Sequence, residues 1–301
     1  MQKNTIALFT TAYPEGKQFL PDFFTSLAAQ TDRKFDLWVG LDRILEAELD
    51  EFLCDDYTVT FVQGKNNESN ISLRQRAIEQ IIEQYSGIVF VDSDDILDPT
   101  RVSAGRFSLE HYDVYGCAMK IIDERGSDLG ISFQIPSDSH IASLLLRFNI
   151  FGMSNTSYSS EILKKCLPFP IDCVLLDWFI ATRAWAHDAR MYFDPVQRMS
   201  YRQHSSNTAR VIPPFTQEQI TKSTDLVLKH YNLVSNNIPE LPRSKRILIK
   251  TAQTYVESFY YSINQSSVIF REYIRELNKL PSNHIWWSCV AHPDLEAIWK
   301  N

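Results

Sequence analysis

The chain has 301 residues, of which 44% are hydrophobic and 22% are charged, a composition that is ordinary for a globular protein. Its formal net charge of −7 argues against a nucleic acid polymer as a partner, because phosphate backbones attract clustered Lys and Arg. The same charge leaves at most peripheral contact with an anionic membrane, and no apolar run approaches the roughly 20 residues of a spanning helix. The length allows one large α/β domain and an appendage.

Cysteine usage and the N-terminus indicate the compartment. The five cysteines are an odd number without a Cys-x-x-Cys pair, which favours core thiols over a disulfide framework or a zinc site. The first residues lead directly into the apolar residues 6–9, without the features of a signal peptide. We therefore expect a cytoplasmic protein, with at most peripheral contact at the inner face of the membrane.

In chain order, strands alternate with helices over the first hundred residues. Short apolar runs predict strands at residues 6–9, 35–41, 58–62 and 87–90. Apolar residues at three- and four-residue spacing predict helices between them, at residues 19–28, 45–52 and 73–82. Alternation of this kind indicates βαβ units, and hence an α/β fold with a mostly parallel sheet.

The pattern changes after residue 100. Extended segments are predicted at residues 114–122, 130–133, 151–158 and 191–203, with helices from Ser137 to residue 148 and over 177–187. Beyond the Pro213-Pro214 pair only helices are predicted, at residues 217–231, 244–263 and 268–280. We therefore expect a boundary near Pro213, with residues 1–213 as the α/β domain and residues 214–301 as a C-terminal helical subdomain.

Three carboxylates follow the predicted strand 87–90 directly. Asp92, Asp94 and Asp95 stand within four residues of one another, where they repel each other unless a cation lies between them. Open α/β sheets bind ligands at this end of their strands, and Mg²⁺ and Mn²⁺ prefer oxygen ligands that they bridge to substrate phosphates. The segment therefore predicts a metal-phosphate site, and the alternative is a solvated acidic turn that caps the next helix.

The carboxyl ends of two earlier strands carry side chains that suit a nucleotide base. Thr11-Ala12-Tyr13 follows the first strand and Asp42 ends the second, so both are expected at the sheet edge that carries the Asp cluster. A tyrosine ring can stack on uracil or thymine, and a carboxylate can accept the N3–H of that base. The alternatives are a tyrosine at the edge of the core and a helix-capping aspartate.

Together, these pieces resemble the family 2 glycosyltransferases of the GT-A fold over residues 1–205. Beyond the motifs above, the resemblance rests on residues 26–31, Asn70 with Arg74, Asp177-Trp178 with Arg183, and residues 201–208. The chain departs from the family at residues 40–43, where Gly-Leu-Asp-Arg stands in place of an Asp-Asp-Gly-Ser turn. It departs again at Leu176, where the family has a Glu before the catalytic Asp.

The resemblance implies a Rossmann-like mixed sheet with helices on both faces, and an enzyme that transfers a sugar from a UDP- or dTDP-type donor. The acceptor would be a hydroxyl of a glycan or lipid-linked glycan, in cell-surface polysaccharide synthesis. Mn²⁺ or Mg²⁺ would stabilise the charge on the leaving diphosphate. Asp92 would contact the ribose or a metal-bound water, and Asp94 would ligate the metal, with Asp95 as a second candidate ligand. The nucleotide-binding residues would include Thr11, Tyr13 and Asp42.

Four further residues acquire roles by the same resemblance. Asp177 would be the general base of an inverting transfer, and the alternative is that it only caps its helix. His204 would ligate the metal or contact the diphosphate, with Arg202 beside the same anion; the alternative is an ordinary half-buried histidine. Arg74 would bond the nucleotide phosphate or hold an Asp of the cluster, and the alternative is a solvated arginine.

Two other functions stay open. A haloacid-dehalogenase-like phosphohydrolase also has an Asp-x-Asp box after an apolar strand, with the first Asp as nucleophile, but its box ends the first strand of the fold. A non-catalytic sugar-nucleotide-binding module would keep the site without transfer. The aromatic residues of the C-terminal helices, such as Tyr255, and those that follow the helices, such as Trp286, are expected to pack on the domain and to form a homodimer interface or flank the acceptor cleft.

Overall fold

The strands join in one mixed sheet. The computed structural model of the chain describes residues 5–53, 57–137, 139–205, 207–238, 241–280 and 285–300. Within them the strands are β1 (Ile6–Ala12), β2 (Phe35–Leu41), β3 (Val59–Gln63), β4 (Gly87–Phe90), β5 (Ile96–Leu97), β6 (Val114–Ile122), β7 (Asp128–Phe133), β8 (Thr156–Ser159) and β9 (Met191–Arg202). Their order across the sheet is β3-β2-β1-β4-β8-β6-β9-β5, with β7 beside β6.

The helices accompany the sheet and then continue alone. They are α1 (Leu20–Ala28), α2 (Asn70–Ile82), α3 (Arg101–Leu109), α4 (Ile141–Leu145), α5 (Ser160–Cys166), α6 (Leu176–Ala186), α7 (Gln217–Asn237), α8 (Arg243–Gln265), α9 (Ser267–Leu277) and α10 (Glu296–Trp299). Short 3₁₀ turns lie at Pro14–Phe19 and Pro293–Leu295. Among the described helices, none combines the length and the apolar character that crossing a bilayer requires.

The first half of the sheet is parallel and buried. β1 pairs in parallel with β2 and β4, so that Ile6 lies opposite Phe35 on one side and Gly87 on the other. Every residue of β1 and of β4 is buried, which explains the apolar runs at residues 6–9 and 88–90 in the sequence. Because these strands run in the same direction, the residues that follow them meet at one edge of the sheet.

The second half of the sheet is mainly antiparallel. β8 pairs antiparallel with both β4 and β6, and the pairs β5–β9 and β6–β7 are also antiparallel. Only β6 and β9 run in parallel there. The mostly parallel sheet expected from the alternating pattern is therefore correct for β1 to β4 and wrong beyond them, whereas the mixed sheet implied by the resemblance is confirmed.

Two of the predicted helices differ from the elements that the structure contains. Residues 45–52 form two 3₁₀ turns, Glu46–Glu48 and Asp50–Phe52, because Leu49 is the fully buried residue of this acidic stretch and one anchor does not support a longer helix. The helix expected to begin at Ser137 begins at Ile141.

The strand predicted over residues 151–158 is shorter in the structure than in the prediction. The side chain of Asn155 makes hydrogen bonds that would otherwise join backbone groups of neighbouring strands. Its Oδ1 accepts a hydrogen bond from the backbone of Gly152, and its Nδ2 donates to the carbonyls of Cys117 and Ile150. Such side-chain bonds to the backbone compete with strand pairing. β8 consequently begins at Thr156, and the preceding residues form a turn.

The C-terminal helices share one hydrophobic core with the sheet. On α7, the Tyr231 hydroxyl donates to the Leu146 carbonyl at 2.7 Å, and His230 stacks on Trp178 of α6 with ring centroids 4.1 Å apart. The expected packing of the C-terminal aromatic residues on the domain is therefore seen. The boundary near Pro213 remains a prediction about chain organisation.

The segment that contains residues 285–300 returns from these helices to the sheet. The ring of Trp286 lies 4.3 Å from that of Phe133 on β7 and 5.3 Å from that of Tyr201 on β9. At its other end, Trp299 packs edge-on against Phe259 of α8. The end of the chain therefore connects the helices to the edge of the sheet where β9 finishes.

Because of this shared core, a chain cut at Pro213 should not fold stably. The cut would uncover Trp178 and Leu146, and it removes the buried partners Tyr231 and Trp286. Each large apolar side chain contributes about 1.5–3 kcal/mol when buried, so the loss approaches the roughly 5–15 kcal/mol that stabilises a domain. Near-UV circular dichroism and light scattering should show a molten or aggregated product. A soluble, cooperatively unfolding product would contradict this expectation.

His230 should make the protein acid-sensitive. The side chain is buried, and its Nδ1 has no hydrogen-bond partner among the described residues. Burial lowers the pKa of His230 from 6.5 to about 3. The imidazole of His230 therefore binds a proton more readily in the unfolded chain than in the folded one. Above pH 6.5 this difference does not affect the free energy of unfolding, and as the pH falls from 6.5 toward 3 it lowers that free energy. His230→Phe should therefore stabilise the fold by about 2 kcal/mol more at pH 5 than at pH 8.

Urea unfolding of both proteins at the two pH values measures this difference. The matched control is His111→Phe, since His111 is exposed at the surface. An equal change in the free energy of unfolding at both pH values for His230→Phe would show that its ionisation does not limit stability.

Candidate active site

One large cavity opens at the carboxyl edge of β1, β2 and β4. It has a volume of about 730 Å³. Its charged lining residues are Glu15, Asp42, Arg43, Arg74, Asp92, Asp94, Asp177 and His204. The five carboxylates outnumber the two guanidinium groups, so the cavity is suited to an anionic ligand only if a cation accompanies it.

The Asp cluster lies in a loop that neighbouring strands hold in place. Each of Asp92, Asp94 and Asp95 offers a carboxylate oxygen, and these three atoms lie within 4.8 Å of one another. The Ser93 hydroxyl donates to the Thr11 carbonyl at 2.9 Å, and the Ser154 hydroxyl accepts from the backbone of Asp92 at 3.0 Å. The loop after β4 is therefore fixed from β1 and from the turn before β8.

Asp94 contacts two other candidate residues that line the cavity. Its Oδ2 lies 2.8 Å from Nε2 of His204 and accepts a hydrogen bond from the Tyr13 hydroxyl at 3.2 Å. All three residues line the cavity. Burial first, and then the nearby carboxylates, raise the pKa of Tyr13, so its phenol remains a donor. The structure thus brings together Tyr13, Asp94 and His204 from three separate segments.

Asp95 and Arg202 lie behind the cavity wall. Asp95 is 1% exposed, and its carboxylate accepts hydrogen bonds from the Ser154 hydroxyl and from the backbone of Arg202. The Arg202 guanidinium donates to the Asp94 carbonyl, the Glu124 carbonyl and the Asp22 carboxylate. Burial raises the pKa of Asp95 well above its usual range. The structure does not bring these two side chains to the cavity; it places them as supports of the loop that carries Asp94.

Arg74 joins the first strand to the Asp cluster. Its Nε donates to the Thr11 hydroxyl at 3.3 Å and its second guanidinium nitrogen to Asp92 at 3.2 Å. Thr11 is buried and faces Arg74 rather than the main cavity. Burial raises the pKa of Asp92 to about 6, and the charges of Asp94 and Asp177 add to the effect that Arg74 opposes. Arg74 is therefore both a cavity residue and the partner of an Asp in the cluster.

Asp42 lines the cavity directly after the end of β2. The backbone N–H of Asp42 donates to the Ala12 carbonyl at 2.9 Å, which fixes the end of β2 against β1. The guanidinium of Arg43 contacts the Asp42 carboxylate at 3.2 Å and the Glu15 carboxylate at 3.3 Å. Arg43 has a left-handed backbone with φ of 59°. The chain therefore turns sharply after Asp42, and the Asp42 side chain stays on the cavity wall beside Tyr13.

Asp177 stands at the start of α6, on the same cavity as the Asp cluster. The N-cap position of this helix is Leu175, and Asp177 stands in the first turn. One carboxylate oxygen accepts from the backbone of Trp178 and the other from Nδ2 of Asn149, both at 2.8 Å. Burial raises the pKa of Asp177. Its carboxylate is therefore held in place and is more basic than an ordinary aspartate.

Several residues of the site have no motif in the sequence. Asn149 positions Asp177, Ser154 holds the Asp loop, and Trp286 and Trp287 line the cavity from the C-terminal segment. Trp286 also forms an isolated β-bridge with Asn149. The signal in the sequence for the two tryptophans is the high aromatic content of the last helices and the segment after them.

Comparison with known proteins gives the fold a wider context. No protein-family model matches the chain, and neither does any curated protein. Among solved structures, S. aureus TarS matches with a TM-score of 0.57 and 18% identity over 83% of this chain and 43% of that one. TarS 1–349 in complex with UDP-GlcNAc matches with a TM-score of 0.56 and 15% identity over 91% of both chains.

A mannosyltransferase, PcManGT from Pyrobaculum calidifontis in complex with GDP-Man and Mn²⁺, matches with a TM-score of 0.56 over 98% of this chain and 87% of that one, at 11% identity. The chain has the GT-A fold. The predicted fold class is thus confirmed, and the cavity lies at the carboxyl ends of the strands, where open α/β sheets bind ligands. At identities this low, the structural similarity shows the GT-A architecture and not the chemistry of the site.

Proposed function

We propose that this GT-A protein is a metal-dependent, inverting glycosyltransferase of the family 2 type. It would move a sugar from a nucleoside-diphosphate sugar to an acceptor hydroxyl. The observation that carries the proposal is the arrangement of one cavity, in which the Asp94–His204 pair and Asp177 line the same space. One group of residues suits a cation beside a diphosphate, and the other suits proton removal from a hydroxyl.

The donor set fits Mn²⁺ or Mg²⁺. Asp94 and His204 converge on the cavity, with Asp92 beside them, and the surplus of carboxylates there needs a cation before a diphosphate can enter. When bound, the metal would act as a Lewis acid that stabilises charge on the leaving diphosphate. Mn²⁺ in the PcManGT complex supports the same choice. Because both carboxylate oxygens of Asp95 are engaged, we assign Asp95 to holding the loop and not to direct ligation.

The nucleotide part of the donor would lie between Tyr13, Asp42 and Arg74. The Tyr13 ring and the Asp42 carboxylate, on adjacent strand ends, suit a pyrimidine base with an N3–H donor. Asp92 would reach the ribose or a metal-bound water, and Arg74, held by Thr11, would donate to a phosphate oxygen. We propose a UDP- or dTDP-type donor, which the UDP-GlcNAc of TarS 1–349 supports. The GDP-Man of PcManGT makes a GDP-sugar the competing donor.

The acceptor hydroxyl would lose its proton to Asp177. The hydroxyl oxygen forms a bond to the anomeric carbon as the bond from that carbon to the diphosphate oxygen breaks, and the proton passes to the Asp177 carboxylate. Attack from the face opposite the leaving group inverts the anomeric configuration. Asn149 and the backbone of Trp178 orient the carboxylate, and its raised pKa favours proton uptake. The acceptor would be a glycan or lipid-linked glycan of a cell-surface polysaccharide.

A thermal-shift screen with UDP-, dTDP- and GDP-sugars tests the donor site, with Mn²⁺ in one series and EDTA in the other. A donor at a hundredfold excess over its Kd should stabilise the protein by about 2.7 kcal/mol, and only with Mn²⁺. A covalent phosphoaspartate on Asp92 would instead favour the phosphohydrolase alternative. Tight donor binding without transfer or slow hydrolysis under any acceptor would favour the non-catalytic module.

Self-association through α8 belongs to the same proposal. Ile247 and Tyr261 are exposed and stand fourteen residues apart, on one face of a helix with 3.6 residues per turn. The exposed residues between them on that face, Thr251, Thr254 and Ser258, carry no charge. Two copies of a chain with a net charge of −7 could meet along this stripe without like-charge repulsion.

Tyr261→Glu should therefore shift the protein toward monomer in light scattering at micromolar concentration. The substitution places two like charges at a two-fold contact, where they repel. Asn236→Glu, at an exposed position of α7, serves as the control for one added negative charge. A wild-type protein that is already monomeric under these conditions would exclude the homodimer.

A further inference from the structure

The cavity has two sides of different chemistry. The ends of β1, β2 and β4 and the start of α2 supply charged and hydrogen-bonding groups. Near Asp177 the lining is apolar: Val174 and Leu175 precede it in the same loop, and Trp287 follows Trp286, which bridges to Asn149, the hydrogen-bond partner of Asp177. We call Val174, Leu175 and Trp287 the apolar wall. The proposed base therefore stands at the border between the charged side and the apolar wall.

The apolar wall is anchored to the residue that holds the base. Trp286 pairs through its backbone with Asn149, and Asn149 donates to Asp177. The ring of Trp286 lies directly on Gly152, where a Cβ would come within 2.4 Å of it. Glycine at this position thus lets the C-terminal segment approach the turn before β8.

Trp287 follows with a left-handed backbone, φ 69°. Bulky residues rarely adopt this conformation, and such strain persists where the surrounding structure imposes it. The packing of Trp286 supplies that constraint. The ring of Trp286 contacts Gly152, Phe133 and Tyr201, which fixes the backbone next to Trp287. Trp287 is therefore held at a set position on the cavity wall.

The surroundings of the apolar wall disfavour a negatively charged acceptor. Among the described lining residues, the arginines are Arg43 and Arg74, and both are on the charged side, where they pair with carboxylates. Lys229 is close enough to interact with Cys173 beside the wall, and so are the oppositely charged Asp172 and Asp177. Lys229 itself does not line the cavity. A phosphate or carboxylate group at the wall would meet Asp177 without a compensating cation.

We propose that the acceptor is an uncharged saccharide unit whose C–H face packs on the apolar wall while one hydroxyl reaches Asp177. This inference rests on the proposed glycosyltransferase function and adds the substrate class to it. Apolar and aromatic surface recognises the C–H face of a sugar ring, and a few polar groups then set its orientation. The C-terminal segment, through Trp287, is consequently part of the acceptor site.

Binding of matched sugar pairs tests the substrate class. The probes are methyl glycosides of glucose, galactose and mannose, each paired with its uronic acid, in saturation-transfer NMR with the nucleotide that the thermal-shift screen selects and Mn²⁺. We expect the neutral member to bind at least about tenfold more tightly, with saturation strongest on its ring C–H protons. Tighter binding of the uronic acids, or binding of neither set, would overturn the inference.

Variants of one exposed loop locate the contact. Val174 is 49% exposed and lines the cavity, whereas Ile171, in the same loop, is 68% exposed and does not line it. Val174→Ser should weaken neutral-sugar binding by about three- to tenfold, as expected for lost apolar burial, and Ile171→Ser should leave it unchanged. Val174→Lys should raise the affinity for uronic acids relative to their neutral partners. Equal effects of the two serine variants would place the acceptor elsewhere.

The donor experiment separates this inference from the proposed function. If no nucleotide binds with Mn²⁺, the glycosyltransferase proposal fails. If a nucleotide binds and the anionic sugars are preferred, that proposal stands and only the substrate class is wrong.

Discussion

Replacing Asp177 by Asn should lower sugar transfer by at least the roughly 10²-fold typical of a lost general base, while donor binding stays close to that of the wild type. Asn occupies the same space and can still accept one of the two hydrogen bonds that Trp178 and Asn149 donate. It cannot take the proton of an acceptor hydroxyl. Steady-state transfer rates and donor calorimetry on the same preparation measure the two quantities.

The pH profile adds a second readout for Asp177. The base acts as a carboxylate, so kcat/KM should rise with pH through the pKa of Asp177. Burial raises that pKa above the usual 3.8 of an aspartate, which moves the acid limb toward neutral pH. The limb should be absent from the residual activity of Asp177→Asn. Turnover like that of the wild type would remove Asp177 from the mechanism.

The matched control is Asp172→Asn. Asp172 is exposed, five residues before Asp177 in the same segment, and does not line the cavity. It should keep both the rate and the acid limb. A comparable loss in the two variants would mean that the charge of the whole segment matters and not proton transfer at one carboxylate.

Replacing Asp94 by Ala should remove most of the gain in nucleotide affinity that Mn²⁺ brings. Asp94 combines the contact to His204 at 2.8 Å with a place on the cavity wall. Even residues that only support a metal ligand change metal affinity by about 10–100-fold, so loss of a direct ligand should cost at least that much. Titration calorimetry of the nucleotide in Mn²⁺ and in EDTA measures the gain for both proteins.

Asp95→Asn is the informative control for Asp94. Asp95 is buried behind the wall, and its raised pKa favours the protonated carboxyl, which an asparagine resembles in shape and hydrogen bonding. This variant should keep the metal-dependent gain. Loss of the gain in both variants would make Asp95 a ligand as well. A wild-type protein with equal affinity in Mn²⁺ and EDTA would refute the metal proposal altogether.

The frame of the site could be predicted from the amino-acid sequence. β1, β2 and β4 are buried on both faces, so they must be short apolar runs, and such runs are visible without a structure. Parallel strands then bring their carboxyl ends to one edge. For that reason Tyr13, Asp42 and Asp94 could be assigned to a common site before any distance was known.

Roles within the Asp cluster could not be predicted in this way. Asp92, Asp94 and Asp95 are close neighbours in the sequence and have the same chemistry. The path of the loop, bonded to Thr11 and Ser154, decides that Asp94 faces the cavity and Asp95 the interior. Arg202 shows the same limit, since an arginine beside an anion-binding motif can face the anion or, as here, support the loop from behind.

The sequence by itself determined the α/β class, the parallel first half of the sheet and the carboxylates at its edge, because these depend on local hydrophobicity and strand order. Only the tertiary structure decided which side chains complete the cavity. Asn149, which bonds Asp177, and the cavity residues Trp286 and Trp287 come from segments with no local motif. The two tryptophans reach the cavity because the C-terminal helices share the core of the sheet. Contacts between such distant segments depend on packing geometry, and packing leaves no periodic signal in the chain.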